Sequence, residues 1–198
     1  MKYTKQLGTN NHVIIHLHGT GGTSKQLFSI GRYLDSEATL IGIDGEVYEN
    51  GMRRYFERYG DGSFNLESLK ENTDDLFKTI NGALIDNKLE DYVVTILGYS
   101  NGANIAINLI KEYETIFNNL LLFHPSTVRK DIEFKSQENL SVFITRGEND
   151  PFINEEEFVQ MIEMLKEKNI EVNTYTHLKG HELINEEITK AKETLKLN

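Results

Sequence analysis

Short apolar runs alternate along this chain with longer stretches in which apolar residues recur every three or four positions. The runs Val13–Leu17, Thr39–Ile43, Val93–Leu97, Leu120–Phe123, Val142–Thr145 and Val172–Tyr175 read as strands. Several are apolar at nearly every position, the pattern of strands covered by helices on both faces. Between them, Leu27, Ile30 and Leu34 share one helical face behind a Thr23–Gln26 capping-box spacing, with an end expected near Asp35. The stretch 66–89 sets Leu69, Leu76, Ile80 and Leu84 on one stripe, with Gly82 a place where it could bend or stop. Asn154 and Glu157 repeat the capping pattern ahead of Phe158, Met161, Ile162 and Leu165, and a last helix carries Ile184, Ile188, Ala191 and Leu195. Strands alternating with helices predict an α/β fold, a mostly parallel sheet with helices on both faces.

Composition narrows the picture. With 198 residues, 38% hydrophobic and 26% charged, one domain over 1–198 is expected, and no repeat or proline-rich linker divides it, the prolines being Pro125 and Pro151. There is no cysteine, so a nucleophile must be a hydroxyl, an amine or a carboxylate. The balance of 21 Lys+Arg against 31 Asp+Glu, net −10, argues against nucleic acid as partner. The apolar runs fall far short of the roughly 20 residues of a membrane helix. Met1–Gln6 lacks the apolar stretch of a secretory leader, so no membrane insertion and a cytoplasmic location are expected. Glu155–Glu157 read as the acidic first turn of a helix and not as a metal site.

The segment Gly98-Tyr99-Ser100-Asn101-Gly102 matches G-x-S-x-G, and it stands between an apolar strand and an Ala- and Ile-rich helix. That context gives the short motif its weight. A serine there sits on a tight turn at a helix N-terminus, where backbone N–H groups favour developing negative charge. A hydroxyl nucleophile needs an imidazole base and a carboxylate to orient it, in the chain order Ser, Asp, His on this type of sheet. Asp150, 50 residues beyond Ser100 and held extended by Pro151, is the expected acid, with Glu148 a nearby competitor. His181, between the last strand and the last helix, is the expected base. His177 reads as a strand-end surface or packing residue, His12 as surface, His16 as a strand residue and His124 as a residue of the active-site mouth.

After the first strand comes His18-Gly19-Thr20-Gly21-Gly22-Thr23. It lacks the lysine and the spacing of phosphate-binding loops. The better reading is half of an oxyanion hole, with the backbone N–H groups of Thr20 and Asn101 as donors.

These motifs, with Gly147-x-x-Asp150-Pro151 and Gly180-His181, resemble the phospholipase/carboxylesterase family of α/β hydrolases, and within it the bacterial MhqD-like hydrolases. That group shares the turn Leu17–Gly22 and the loop Glu49-Asn50-Gly51-Met52-x-Arg54-x-Phe56. The resemblance implies a single-domain α/β-hydrolase fold without a large lid and a serine carboxylesterase acting on short-to-medium acyl esters or thioesters. It implies no cofactor and no metal; the partner is the small-molecule substrate, and a homodimer is compatible with it. Catalytic residues would be Ser100, Asp150 and His181. Substrate contacts would come from Met52, Arg54, Phe56 and Phe152, the loop from Glu46 to Phe56 offering Tyr55 as a further apolar surface and Arg53 as the alternative to Arg54 for a polar contact; alternatively, the loop aromatics only pin the loop down. The elbow residues Asn101 and Ala103 depart from the larger acyl-protein thioesterases, which argues against a long-chain acyl-protein substrate. Rival readings are a non-catalytic ligand-binding protein, or a lysophospholipase, perhydrolase or dienelactone-type hydrolase using the same triad.

Overall fold

The computed structural model describes residues 1–197. In order, the elements are β1 (Tyr3–Gln6), β2 (His12–Leu17), α1 (Phe28–Leu34), β3 (Thr39–Ile43), β4 (Val47–Glu49), β5 (Met52–Arg54), α2 (Leu66–Asn87), β6 (Val93–Tyr99), α3 (Asn101–Glu112), β7 (Asn119–Phe123), β8 (Ser141–Gly147), α4 (Glu155–Glu167), β9 (Glu171–His177) and α5 (Asn185–Thr194). The six expected strands lie in a seven-stranded sheet of order β1-β3-β2-β6-β7-β8-β9. All pairs are parallel except β1 with β3.

Alternate strand residues feed two cores. Val13, Ile15 and Leu17 of β2, with Leu120 and Leu122 of β7, join Leu69, Leu76 and Ile80 of α2, Ile105 and Leu109 of α3, and Phe158 and Met161 of α4. Ile14, Leu97, Leu121, Phe123 and Phe143 face the other way, with Leu27 and Leu34 around α1 and Ala191 of α5. This is the two-faced burial that the continuous apolar runs predict.

Four local readings need correction. The Thr23–Gln26 capping box does not form: residues 24–27 make turns, α1 begins at Phe28, and the Gln26 side chain accepts from the Gly19 N–H (3.0 Å). Gly82 neither bends nor ends α2, which continues to Asn87 and closes with Lys88 in a left-handed conformation. His12 is buried, donating from Nδ1 to Asp35 (2.8 Å) and accepting at Nε2 from the Thr95 hydroxyl (2.8 Å). Three strands went unread: the polar edge strand β1, and the β4–β5 hairpin, whose Asn50-Gly51 turn has positive φ at both residues. The Asn154 cap does form, accepting from the Glu157 N–H at 3.1 Å.

Parallel strands all end on one side, so the loops after β2, β6, β8 and β9 meet along one rim. Because β3 lies to one side of β2 and β6 to the other, the order in which strands are added reverses there and opens a crevice above the β2 and β6 ends.

Candidate active site

Ser100 occupies the turn between β6 and α3 with φ 51° and ψ −115°, a conformation L-residues rarely adopt and worth about 1–3 kcal/mol of strain. Its surroundings hold it there. The Ser100 N–H donates to the Phe123 carbonyl (2.9 Å), and the Ser100 carbonyl accepts from Asn104 (2.9 Å) as the first turn of α3. Both motif glycines are sterically required. A Cβ on Gly102 would lie 2.1 Å from the Leu17 carbonyl oxygen, and one on Gly98 would lie 2.8 Å from the Ala103 backbone.

His181 Nε2 lies 2.8 Å from Ser100 Oγ, and His181 Nδ1 lies 2.6 Å from Asp150 Oδ2. A proton on Nδ1, donated to the carboxylate, leaves the Nε2 lone pair facing the hydroxyl. Asp150 is buried at the end of the β8 turn, and its Oδ1 accepts from the Phe152 N–H (2.9 Å). The Tyr99 hydroxyl donates to the His181 carbonyl (2.7 Å), anchoring the loop that carries the imidazole. Glu148 is exposed and takes no part in this line of contacts. His177 is a packed residue whose Nδ1 accepts from the Lys179 N–H (3.1 Å). His124 is not at the mouth: it is fully buried behind Asp150, with Nδ1 3.2 Å from Asp150 Oδ2 and Nε2 3.3 Å from Glu187 Oε1.

The turn after β2 faces Ser100 from across the crevice. His18 is buried and braces it, with Nδ1 donating to the Gly19 carbonyl (2.7 Å) and Nε2 accepting from the Gly45 N–H (3.1 Å). Burial pushes its pKa below 6.5, against smaller upward pulls from that carbonyl and from Asp44, and so keeps the ring neutral. Among the described residues, neither the Thr20 nor the Asn101 backbone N–H donates to a protein acceptor. The Asn101 side chain instead receives the Tyr55 N–H (2.7 Å), tying the β5 loop to the elbow.

A cleft of about 380 Å³ opens over Ser100 and His181. Thr20, Arg54 and Phe152 line it as the sequence predicts for Arg54 and Phe152, and Phe152 is 65% exposed with its ring 5.0 Å from that of His181. Met52 and Phe56 do not line it. Phe56 is wholly buried, edge-on to Phe64 at 5.3 Å, and Tyr55 is buried with its hydroxyl donating to the Ile43 carbonyl (2.7 Å). Both aromatics therefore pin the loop. Met52 lies against Gly21, and Arg53 pairs with Asp44 (2.6 Å) away from the cleft.

Arg54 donates to the Thr20 hydroxyl (2.7 Å), and burial draws its pKa down to about 10. Sequence reasoning missed Arg58, Phe64, Asn104 and Ser126 on the cleft wall. Asn104 had a signal, since it stands one helical turn beyond Ser100; its side chain accepts from the Ser126 N–H at 2.8 Å. Side chains of His124, Asp150 and His181, and of His124, His177 and Glu187, approach one another within 4.8 Å. Hydrogen bonding already accounts for the first grouping, and no metal role is assigned to either. Among the described residues, no helix is long and apolar enough to cross a membrane.

A sequence profile of the dienelactone hydrolase family matches residues 44–194. The chain is 36% identical over 196 residues to a Bacillus subtilis (strain 168) protein named as hydrolase MhqD, covering 99% of this chain and 98% of that one. Among solved structures, it superposes on the Bacillus cereus carboxylesterase with a TM-score of 0.92 at 35% identity, covering 98% of this chain and 92% of the other. YahD, solved with malic acid, matches with a TM-score of 0.89 at 28% identity over 97% of this chain and 96% of that one. The α/β-hydrolase architecture and the likeness to MhqD expected from the motifs are thus observed, and the chain is a hydrolase of the ester-cleaving kind.

Proposed function

Taking as premise that the chain belongs to the dienelactone hydrolase family, we propose that it is a serine carboxylesterase cleaving short acyl esters by two-step acyl transfer. Ser100 is the nucleophile, His181 the general base and acid, and Asp150 the carboxylate that orients it. The reading rests on one observation above all: an unbroken line from Ser100 Oγ to His181 (2.8 Å) and from His181 to Asp150 (2.6 Å), starting at a strained turn.

In the first step, His181 Nε2 takes the Ser100 proton as Oγ attacks the substrate carbonyl carbon. The oxygen of that carbonyl becomes negative and accepts from the Thr20 and Asn101 N–H groups, which have no protein acceptor to abandon. The tetrahedral centre collapses, the alcohol leaves with the proton from His181, and an ester on Ser100 remains. Water, deprotonated by the same imidazole, repeats the sequence and releases the acid. Asp150 holds the ring in place and stabilises the transient imidazolium.

The cleft supports a reading of the substrate class. Its volume of about 380 Å³ suits a small acyl group. In a chain of net charge −10 it is lined by two arginines and no carboxylate. Among the described residues, Arg54 and Arg58 share one acidic ion-pair partner, Glu49, at 3.3 and 2.5 Å, leaving this wall net positive. Esters bearing a negative group are therefore favoured over neutral ones of equal size. A cyclic ester opens by the same steps, its leaving alcohol remaining tethered.

The test is steady-state turnover of short p-nitrophenyl and anionic esters by the wild type and by Ser100→Ala, His181→Ala and Asp150→Asn. Each variant is expected to lose at least about a thousandfold in kcat. Turnover by Ser100→Ala at the wild-type rate would remove the assignment.

A further inference from the structure

Behind the triad lies a buried chain of ionisable groups that the reaction does not use directly. Glu187 and His124 have no exposed surface, and Asp150 is 6% exposed. His124 follows β7 with φ 51°, a left-handed backbone that turns its ring into this space. Its Nδ1 lies 3.2 Å from Asp150 Oδ2, the same oxygen that His181 Nδ1 contacts, while its Nε2 lies 3.2–3.3 Å from both oxygens of Glu187. Glu187 is fixed in turn, its Oε1 accepting from the Ile184 N–H (2.7 Å) at the start of α5. An imidazole with an ionised carboxylate at each nitrogen can make both hydrogen bonds only if both nitrogens carry protons. A neutral ring would set a lone pair against one of the carboxylates.

We propose that Glu187 and His124 are positioning residues acting through Asp150. The Glu187 carboxylate keeps His124 an imidazolium, and that cation braces Asp150 and takes up part of its charge, so that His181 stays unprotonated and able to act as base at lower pH. The inference rests on the triad reading above and concerns the tuning of its base.

Every titratable group facing His124 enters the balance: Asp150 from the β8 turn, Glu187 from α5, His177 from the end of β9, His181 from the following loop and Tyr99 from β6. Burial alone would strip the His124 proton. The hydrogen bond and charge of Glu187, and then those of Asp150, outweigh it and hold the His124 pKa above 6.5. His177 turns its Nδ1 to the Lys179 N–H and holds its Nε2 3.9 Å from Glu187, beyond hydrogen-bond reach. The His124 and His181 rings are 5.4 Å apart, whereas Glu187 meets the far nitrogen of His124. The positive charge is therefore the nearer of the two to His181, and it disfavours protonation of the base.

Glu187→Gln removes the charge and keeps both the shape and the acceptor for Ile184. Its amide can donate to His124 Nε2, so a neutral His124 still donates to Asp150. The expected result is an upward shift of about half a pH unit or more in the acid limb of kcat/KM, with the plateau value within about threefold of wild type. His124→Asn keeps a donor toward Asp150, suits the positive φ and carries no charge; it should shift the limb by a similar amount, and the double variant by no more than either. A purely structural role would lower kcat or stability without moving the limb. In the wild type, ¹⁵N shifts of the His124 ring at neutral pH should show both nitrogens protonated, a readout that needs no variant to fold. An unmoved limb in Glu187→Gln, or a neutral His124 ring in the wild type, overturns the proposal. Fluorophosphonate labelling of wild-type Ser100 is run in parallel: normal labelling with an unmoved limb removes only this inference, whereas absent labelling removes the triad reading beneath it.

Discussion

Gly102→Ala tests how tightly the nucleophile turn is set against the opposite strand. Gly102 is the second residue of α3, and a methyl there would stand 2.1 Å from the Leu17 carbonyl oxygen, 2.5 Å from the Leu17 carbonyl carbon and 2.6 Å from the His18 oxygen. These are backbone atoms at the end of β2 and of the residue after it, with no flexible side chain to move aside, so helix and strand must separate by more than an ångström to restore ordinary contact. Ser100 and the Asn101 N–H ride on the helix, while Thr20 lies three residues past Leu17, so the separation opens the gap between the two proposed oxyanion donors. A displacement of about 1 Å costs on the order of a hundredfold in turnover, and the overpacking costs about 1–3 kcal/mol of stability. The assay is kcat on a short p-nitrophenyl ester together with urea unfolding. Gly82→Ala serves as the control: nothing lies within 4 Å of the added methyl, so activity is unchanged and stability rises by about 0.5–1 kcal/mol. Wild-type turnover and stability in Gly102→Ala would refute the steric reasoning.

Tyr55→Phe removes a buried hydroxyl that donates to the Ile43 carbonyl (2.7 Å) and accepts from the His18 N–H (3.1 Å). Two buried groups lose their partner, so urea unfolding should show a loss of about 1–3 kcal/mol. Burial depresses the pKa values of His12, His16 and His18, that of His16 to about 3. The unfolded chain, titrating near 6.5, binds more protons below that pH, so their contribution is complete above 6.5 and is lost as pH falls toward 3. His124, with its raised pKa, runs the other way, its contribution being lost as pH rises above 6.5. Unfolding midpoints at about pH 7.5 and about pH 4.5 should show a clear acid loss, and His16→Leu should show a smaller one.

The sheet was legible because its inner strands are buried on both faces and so carry unbroken apolar runs, as in Val13–Leu17 and Leu120–Phe123. The polar edge strand β1 gives no such run, and β4 and β5 have three residues each, too few for periodicity, although Asn50-Gly51 marked the turn between them. That Ser100, Asp150 and His181 meet was legible from motif and chain order, Ser100 lying two positions from a glycine on each side, Asp150 beside Pro151 and His181 beside Gly180. The loop residues fared worse. Phe56 and Phe152 are both aromatic residues in loops, yet one is wholly buried and the other is 65% exposed, a difference set by packing against Phe64 and not by local sequence. The His124–Glu187 pair joins residues 63 positions apart, which local patterning cannot bring together.

The central claim is that a covalent acyl group passes through Ser100. Rapid quench of the wild type with a short-chain ester, followed by mass spectrometry of the peptide containing Ser100, should find that peptide carrying one acyl group early in turnover. The adduct should persist when Ser100 is acylated chemically in His181→Ala. An acyl group found on another residue, or full turnover with Ser100 unmodified at every quench time, would contradict the account.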